Sequence, residues 1–347
     1  MAVVRIDGSY GEGGGQILRT SLSLSALLGV PVEIVNIRKN RSPPGLRPQH
    51  LTGILALKRL ASARVEGAHI GSDRILFVPN VKVGEIPESK YVFDIGTAGS
   101  TVLLGQTILP LMCANPGISV ELHGGTHVSH SPSYDYFEEV FLRCLGWMGF
   151  EVSSELIRYG FYPKGGGVIT IRVGKCTPRF PEEYPKLSRG VFGRFVLSSN
   201  LPRHIIDREI KTVEERLEKR GYSLVPEVCV VETLSPGNAI TLWYNYEGFR
   251  GSYVLGRVGK PAERVAQEGV RELLKYVEYP IDPYLLDQVL LYSLFLPQSS
   301  TWSSYEITSH TKSNIYVINT FLPGSIELLD LHTVKVNPKL HLETFRV

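Results

Sequence analysis

Twice in its first half the chain runs through one order of elements, and a repeated order constrains a fold more than any single motif. A short strand over residues 3–6 leads into the glycine-rich turn from Asp7 to Gly15, and a helix over 16–28 is ended by Gly29. A β-branched strand at 31–37, a Pro/Gly loop from Arg38 to Gly45, a helix over 47–61 and strands around 63–70 and 74–78 complete βαβαββ. The same order returns with a strand at 91–95, a turn at 96–100, a helix over 101–113, a strand at 119–123, a loop to Pro132, a helix over 134–148, and strands at 151–161 and 167–173. Asp7-x-x-x-Gly11 and Asp94-x-Gly96-x-x-Gly99 occupy equivalent turns.

After Cys176 the texture changes, with charge and proline rising through 179–189. Strands at 191–197, 224–233, 239–246 and 253–258 alternate with helices at 207–220 and from Pro261. From Tyr284 the earlier pattern resumes: a helix to 295, a strand at 305–308, a polar turn at His310, a helix to 322, and strands at 326–329 and 334–336. The expected fold is α+β: three βαβαββ repeats in a large domain, 1–178 and 280–347, with a small α/β domain, 179–279, inserted.

Composition narrows the class. Hydrophobic residues make up 43% and charged residues 20% of 347 positions, as in soluble globular proteins. The most apolar stretch, 101–120, is interrupted by Gln106, Pro110, Asn115 and Pro116, too broken for a membrane helix. Residues 1–7 carry no apolar signal core. Cys113, Cys144, Cys176 and Cys229 form no C-x-x-C pair, so a reducing, cytoplasmic setting is expected. Residues 1–60 hold eight basic against three acidic residues, a local surplus that suits phosphate.

Four places carry chemistry. The turn from Gly11 to Gly15 lets backbone N–H groups approach an anion at a helix start, although it matches neither a P-loop nor a dinucleotide spacing. Beside it, Glu12 offers a carboxylate for a hard divalent cation, and Gln16 and Arg19 share one helix face. Arg38 and Arg41 present guanidinium forks from a proline-stiffened loop, with Gln49 and His50 at the start of the next helix. His127 and His130 lack a third nearby ligand and read as loop residues lining a site rather than a metal pair. His310 stands at a helix start, in the loop position that Arg38 and Arg41 occupy in the first repeat; neutral imidazole there is a nucleophile toward phosphorus. Asp287 and Gln288 are polar residues on an otherwise apolar helix.

These markers together resemble the RNA 3'-terminal phosphate cyclase family: Asp7-Gly8-x-x-Gly11-Glu12-Gly13-Gly14-Gly15-Gln16-Ile17-Leu18-Arg19, Arg38-x-x-Arg41-x-x-Pro44-Gly45-Leu46, Gly96-x-Ala98-Gly99-Ser100, Gly160-Phe161-Tyr162-Pro163-x-Gly165-Gly166-Gly167, Tyr284-Leu285-Leu286-Asp287-Gln288 and His310. The resemblance implies conversion of an RNA 3'-phosphate end to a 2',3'-cyclic phosphate, with ATP and a divalent metal, Mg or Mn. His310 would take AMP from ATP, Arg19, Arg38 and Arg41 would stabilise phosphate charge, and Glu12 would hold the metal. Gln16, Gln49, Gln106, Pro132 and the run Tyr284, Leu285, Leu286, Asp287 and Gln288 would contact ATP or its phosphates, Tyr284 stacking on adenine. Two other readings share the fold: a non-catalytic cyclase-like protein of ribosome assembly, which would lack the histidine, and an enolpyruvyl transferase-like enzyme, which would need neither histidine nor ATP.

Overall fold

The computed structural model describes residues 2–80, 86, 89–185 and 190–342. Positions 186–189, the end of the charged, proline-rich stretch, lie outside the described residues. The first unit comprises β1 (Val4–Asp7), α1 (Gly15–Leu28), β2 (Val32–Val35), α2 (Pro48–Leu60), β3 (Arg64–Glu66) and β4 (Ile75–Val78). Its sheet is ordered β1-β2-β4-β3, with β1 parallel to β2 and the remaining pairs antiparallel. A parallel pair requires a crossover, and α1 supplies it.

The second unit repeats that order in β5 (Lys90–Asp94), α3 (Thr101–Ala114), β6 (Ser119–Gly124), β7 (Phe150–Arg158) and β8 (Gly167–Cys176), paired as β5-β6-β8-β7. Where periodicity predicts one regular helix over 134–148, the chain makes α4 (Tyr134–Tyr136), a π-helical segment (Phe137–Leu142) and α5 (Arg143–Trp147). Such wide turns gather at functional sites, and Phe141 in this one reaches the cleft described below.

A second core follows. β9 (Val191–Ser198), α6 (His204–Glu218), β10 (Leu224–Val231), β11 (Asn238–Tyr244), β12 (Arg250–Leu255) and α7 (Ala262–Tyr276) form a sheet ordered β10-β9-β11-β12. Val213, Leu217, Val265 and Leu273 of the helices bury themselves against Phe195, Ile240 and Leu242 of the strands.

The chain then runs through α8 (Pro283–Ser293), β13 (Ser300–Ser303), α9 (Ser309–Phe321), β14 (Ile326–Leu328) and β15 (Thr333–Val336), with a sheet ordered β13-β15-β14. The strand expected at 305–308 falls instead at Ser300–Ser303. Ser300 and Trp302 point inward in a serine-rich stretch that reads as loop, whereas Thr308 is taken up in capping α9. Where each of the other three sheets has one parallel pair, this one has a single parallel bridge, Ile281 to Ser304, with Ile281 also bridged to Phe249, which precedes β12 but packs in the large core rather than with β9–β12.

Helices of the three units meet face to face, and α1 packs against α3 and α9. Ten of its residues are buried, among them Thr20, Ser21, Ser23 and Ser25, small enough for close approach; Ser23 Oγ donates to Thr107 O of α3 at 2.6 Å. No helix among the described residues is long and apolar enough to cross a membrane.

Candidate active site

Helix α1 starts without a side-chain cap, Gly14 preceding it in extended backbone, whereas Ser100 caps α3, Asp282 caps α8 and Thr308 caps α9. The N–H groups of the first turn of α1 are therefore the open ones at this junction, and they favour an anion. A Cβ on Gly15 would lie 2.4 Å from His50 Nε2 and 3.0 Å from Arg19 Nη1. Glycine alone lets backbone, imidazole and guanidinium converge there.

Glu12, in the turn before α1, gathers the next set. Arg41 Nη2 lies 2.5 Å from its Oε2, Ser309 Oγ donates to its Oε1, and His310 Nε2 lies 3.6 Å from Oε2. Ser309 and His310 form the first turn of α9, fixed by Thr308 Oγ1, which accepts from Thr311 N at 3.1 Å. The Ser309 hydrogen bond, with His310 and Arg41, holds the Glu12 carboxyl below the usual carboxylate value against partial burial. Burial, reinforced by Arg19 and Arg41, depresses the His310 imidazole below 6.5, and Glu12 opposes the shift. At pH 7 the ring is neutral with a free lone pair, and 42% of its side chain is exposed.

Behind this group a cleft of about 400 Å³ opens between α1, α3, α8 and α9, lined by Gln16, Arg19, Gln106, Asp287, Gln288 and Asn314 among others. Asn314 organises it. Its Oδ1 accepts from Gln16 Nε2 at 3.1 Å and Thr20 Oγ1 at 2.6 Å, and its Nδ2 donates to Asp287 O at 2.7 Å. Gln16 Oε1 in turn accepts from Arg19 Nη2, and Gln106 Nε2 donates to Gln288 Oε1 at 2.5 Å. Burial lowers Arg19 to about 10, still cationic at neutral pH. Burial raises Asp287 to about 8 despite the pull of Arg19. On the other side of Arg19 a smaller cleft, about 240 Å³, is lined by Gln49 and His50 over Leu18, Leu22 and Leu104. Burial, with Arg19, Arg38 and Arg47 nearby, pushes His50 down to about 3.

The structure thus brings Glu12, Arg41 and His310 into contact, and Gln16, Arg19, Gln106, Asp287 and Gln288 into one cleft. Gln49 lies on the second cleft, with its Oε1 accepting from Ser100 N at 2.8 Å. Other expected residues are elsewhere. Arg38 Nη1 donates to Pro43 O at 2.9 Å and Gly45 O at 3.0 Å, folding back to hold its own loop. Leu285 and Leu286 are fully buried in the apolar core and do not line the cleft. Tyr284 is 52% exposed and Pro132 sits in the loop before α4; neither lines the cleft. His127 is sealed inside, its Nε2 2.9 Å from Asp135 Oδ2. Among the described residues no group of three or more His, Cys, Asp or Glu is arranged to hold a metal.

Three residues of the site are given no role from the sequence. Asn314 lies one helical turn after His310 and was findable by that spacing. Asp282 precedes Pro283, the pairing of a cap with a first-turn proline; it receives Tyr284 N, Leu285 N, Gly251 N and Tyr136 Oη, and so fixes α8. Ser309 carries no signal in the sequence.

Comparison with known proteins adds a further finding. A family model described as RNA 3'-terminal phosphate cyclase matches residues 10–328. A curated relative from Pyrococcus abyssi with that name is 42% identical over 333 residues, covering 94% of this chain and 95% of its own. Relatives of the same name from Archaeoglobus fulgidus (41% over 325 residues; 92% and 96% covered) and Pyrobaculum aerophilum (41% over 349; 96% and 97%) agree. With the family model matched over most of the chain and these relatives 41–42% identical over more than nine-tenths of it, the chain belongs to the RNA 3'-terminal phosphate cyclase family.

Proposed function

We propose that this chain is an ATP-dependent enzyme that converts the 3'-phosphate end of an RNA into a 2',3'-cyclic phosphate. A neutral His310 nitrogen attacks the α-phosphorus of ATP, an N–P bond forms, and pyrophosphate leaves. The 3'-phosphate oxygen of the RNA then takes the AMP, breaking the N–P bond. Finally the vicinal 2'-oxygen attacks the 3'-phosphorus, loses its proton to solvent and expels AMP as the ring closes. Open N–H groups at the start of α1, together with Arg19 and Arg41, stabilise the charge that develops on the transferring phosphates. Asn314 keeps Gln16 and Arg19 oriented toward the cleft.

The observation that carries this reading is His310 Nε2 at 3.6 Å from Glu12, with Arg41 on the same carboxylate oxygen. A divalent metal fits the donor set only as a hard cation held by one carboxylate, Glu12, with substrate phosphates completing its shell. When bound it would neutralise charge on the phosphates and the leaving pyrophosphate.

The separate core of β9 to β12 with α6 and α7 supports division into a large domain, 1–178 and 280–347, and an inserted domain, 179–279. The free thiols of Cys113, Cys144 and Cys229 and an RNA substrate support action in the cytoplasm.

The test uses ATP labelled at the α-phosphate. The protein should become covalently labelled, and His310→Ala should abolish the label. Labelling that survives His310→Ala would sink the covalent step, and no labelling of the wild type would favour a non-catalytic relative. An oligoribonucleotide 3'-phosphate should cyclise while its 2'-deoxy counterpart should not.

A further inference from the structure

Between β7 and β8 the chain makes a tight loop, 160–167, in which two adjacent aromatic residues have opposite fates. Phe161 is 3% exposed and packs on His127 at 5.5 Å between ring centroids. Tyr162 is 74% exposed, with no ring or hydrogen-bond partner among the described residues. The backbone carrying it is held on each side. Gly165 N donates to Phe161 O at 2.8 Å, Lys164 N donates to Ser235 Oγ at 3.0 Å, and Gly166 O accepts from Arg158 Nε. The loop is therefore a rigid mount that holds one aromatic ring out in water.

Its position ties it to the active site. A Cβ on Gly165 would lie 2.9 Å from Ala98 Cα and 3.1 Å from Thr97 O, so the loop lies directly on the 96–100 turn. That turn rests on Gln49: a Cβ on Gly99 would lie 3.1 Å from Gln49 Cβ, and Ser100 N binds Gln49 Oε1. Gln49 and Arg19 line the same small cleft. Successive contacts thus lead from Arg19, past Gln49 and the glycine turn, to Gly165 of the loop that carries Tyr162. The exposed side chains of Lys164 and Arg158 have no acidic partner among the described residues.

We propose that Tyr162 is a stacking platform for a base of the RNA strand just upstream of the reacting 3'-phosphate, with Lys164 and Arg158 attracting the backbone there. This rests on the function proposed above. An exposed aromatic ring on a fixed backbone suits a single strand because every base has a face to stack on it, and adjacent cations supply the sequence-independent attraction to phosphate. Leu234, close against Gly166, is itself 60% exposed, but the cations Lys164 and Arg158 favour a polyanion over an apolar protein partner.

The experiment compares wild type, Tyr162→Phe and Tyr162→Ala for binding a 3'-phosphorylated oligoribonucleotide, and for labelling by ATP without RNA. Tyr162→Ala should weaken RNA binding about tenfold, Tyr162→Phe should not, and ATP labelling should be unchanged in both. Oligomers carrying one abasic site at successive upstream positions should reveal one position whose loss weakens wild type to the level of Tyr162→Ala and leaves Tyr162→Ala unaffected. RNA binding by Tyr162→Ala equal to wild type, or a loss that no abasic position reproduces, overturns the platform. A wild type that neither labels nor cyclises would instead overturn the function itself.

Discussion

His310 and Glu12 each change the other's charge. Burial and two arginines lower the imidazole, and Glu12 alone pulls the other way. An NMR titration should therefore place the His310 midpoint below 6.5, and Glu12→Gln should move it to still lower pH, since the removed carboxylate favours the charged ring. A midpoint that rises in Glu12→Gln would contradict the geometry. The stability signs follow from the same shifts. A depressed histidine makes folding less favourable as pH falls from 6.5 through its folded value, because the unfolded chain takes the proton first. Glu12, depressed from 4.5, contributes stability above that value and loses it as pH falls through its folded value. At this scale the sequence was informative where chemistry is unusual: a histidine at a helix start and a glutamate among glycines stood out. It misled where the matching letters were consecutive. Leu285 and Leu286 adjoin Asp287 in the chain, yet a helix turns successive side chains about its axis, and the leucines face the core. Nor could spacing tell whether Arg38 would reach outward or bind the carbonyls of its own loop.

Among the elements, α1 couples the site to the fold. Its first residue has no Cβ, and two catalytic-side groups occupy the space a Cβ would need. Alanine at Gly15 would suit helical backbone, so the melting temperature should stay within about 3 °C. Displacing His50 and Arg19 should nonetheless cut labelling by ATP on the order of a hundredfold. Calorimetry and labelling rates check the two halves; full activity in Gly15→Ala would mean that the convergence is not required. Helices and their starts were the most legible elements, because apolar periodicity and caps are local signals. β13 was misplaced by several residues because its serines satisfy only the inward alternation of a short strand, which depends on β15 some thirty residues later. The π-helical segment left no local mark either.

Across the whole molecule, Arg194 of β9 reaches from the second core into the second unit. It is 14% exposed and binds Asp135 (3.2 Å), Glu138 (3.0 Å), Glu139 (3.4 Å) and Glu227 (2.9 Å). Although burial would raise it, Asp135 is held below 3.8 by His127 and Arg194. Arg194→Met leaves that buried carboxylate with less compensation and should lower the unfolding free energy by about 3 kcal/mol. Because a depressed carboxylate contributes stability above its unfolded value and loses it as pH falls through its folded one, the variant should unfold at higher pH on acid titration. Equal acid midpoints would show that Arg194 does not set the Asp135 charge. Composition could not reveal such a junction, since its partners are brought together only by the fold. The single bridge that stands for a strand beside β13, β15 and β14 has an engineering consequence. Phe249 completes that edge beside Ile281, Gly248 approaches so closely that a Cβ would lie 2.0 Å from Pro280 O, and Gly251 N binds Asp282 Oδ2 at 2.9 Å. Splicing 178 directly to 280 would therefore not release a removable cassette; it would strip the cap from α8 of one donor, expose a sheet margin, and loosen the helix that bears Asp287 and Gln288. Host and guest are separable on a topology diagram, but along this seam they are stitched as one piece.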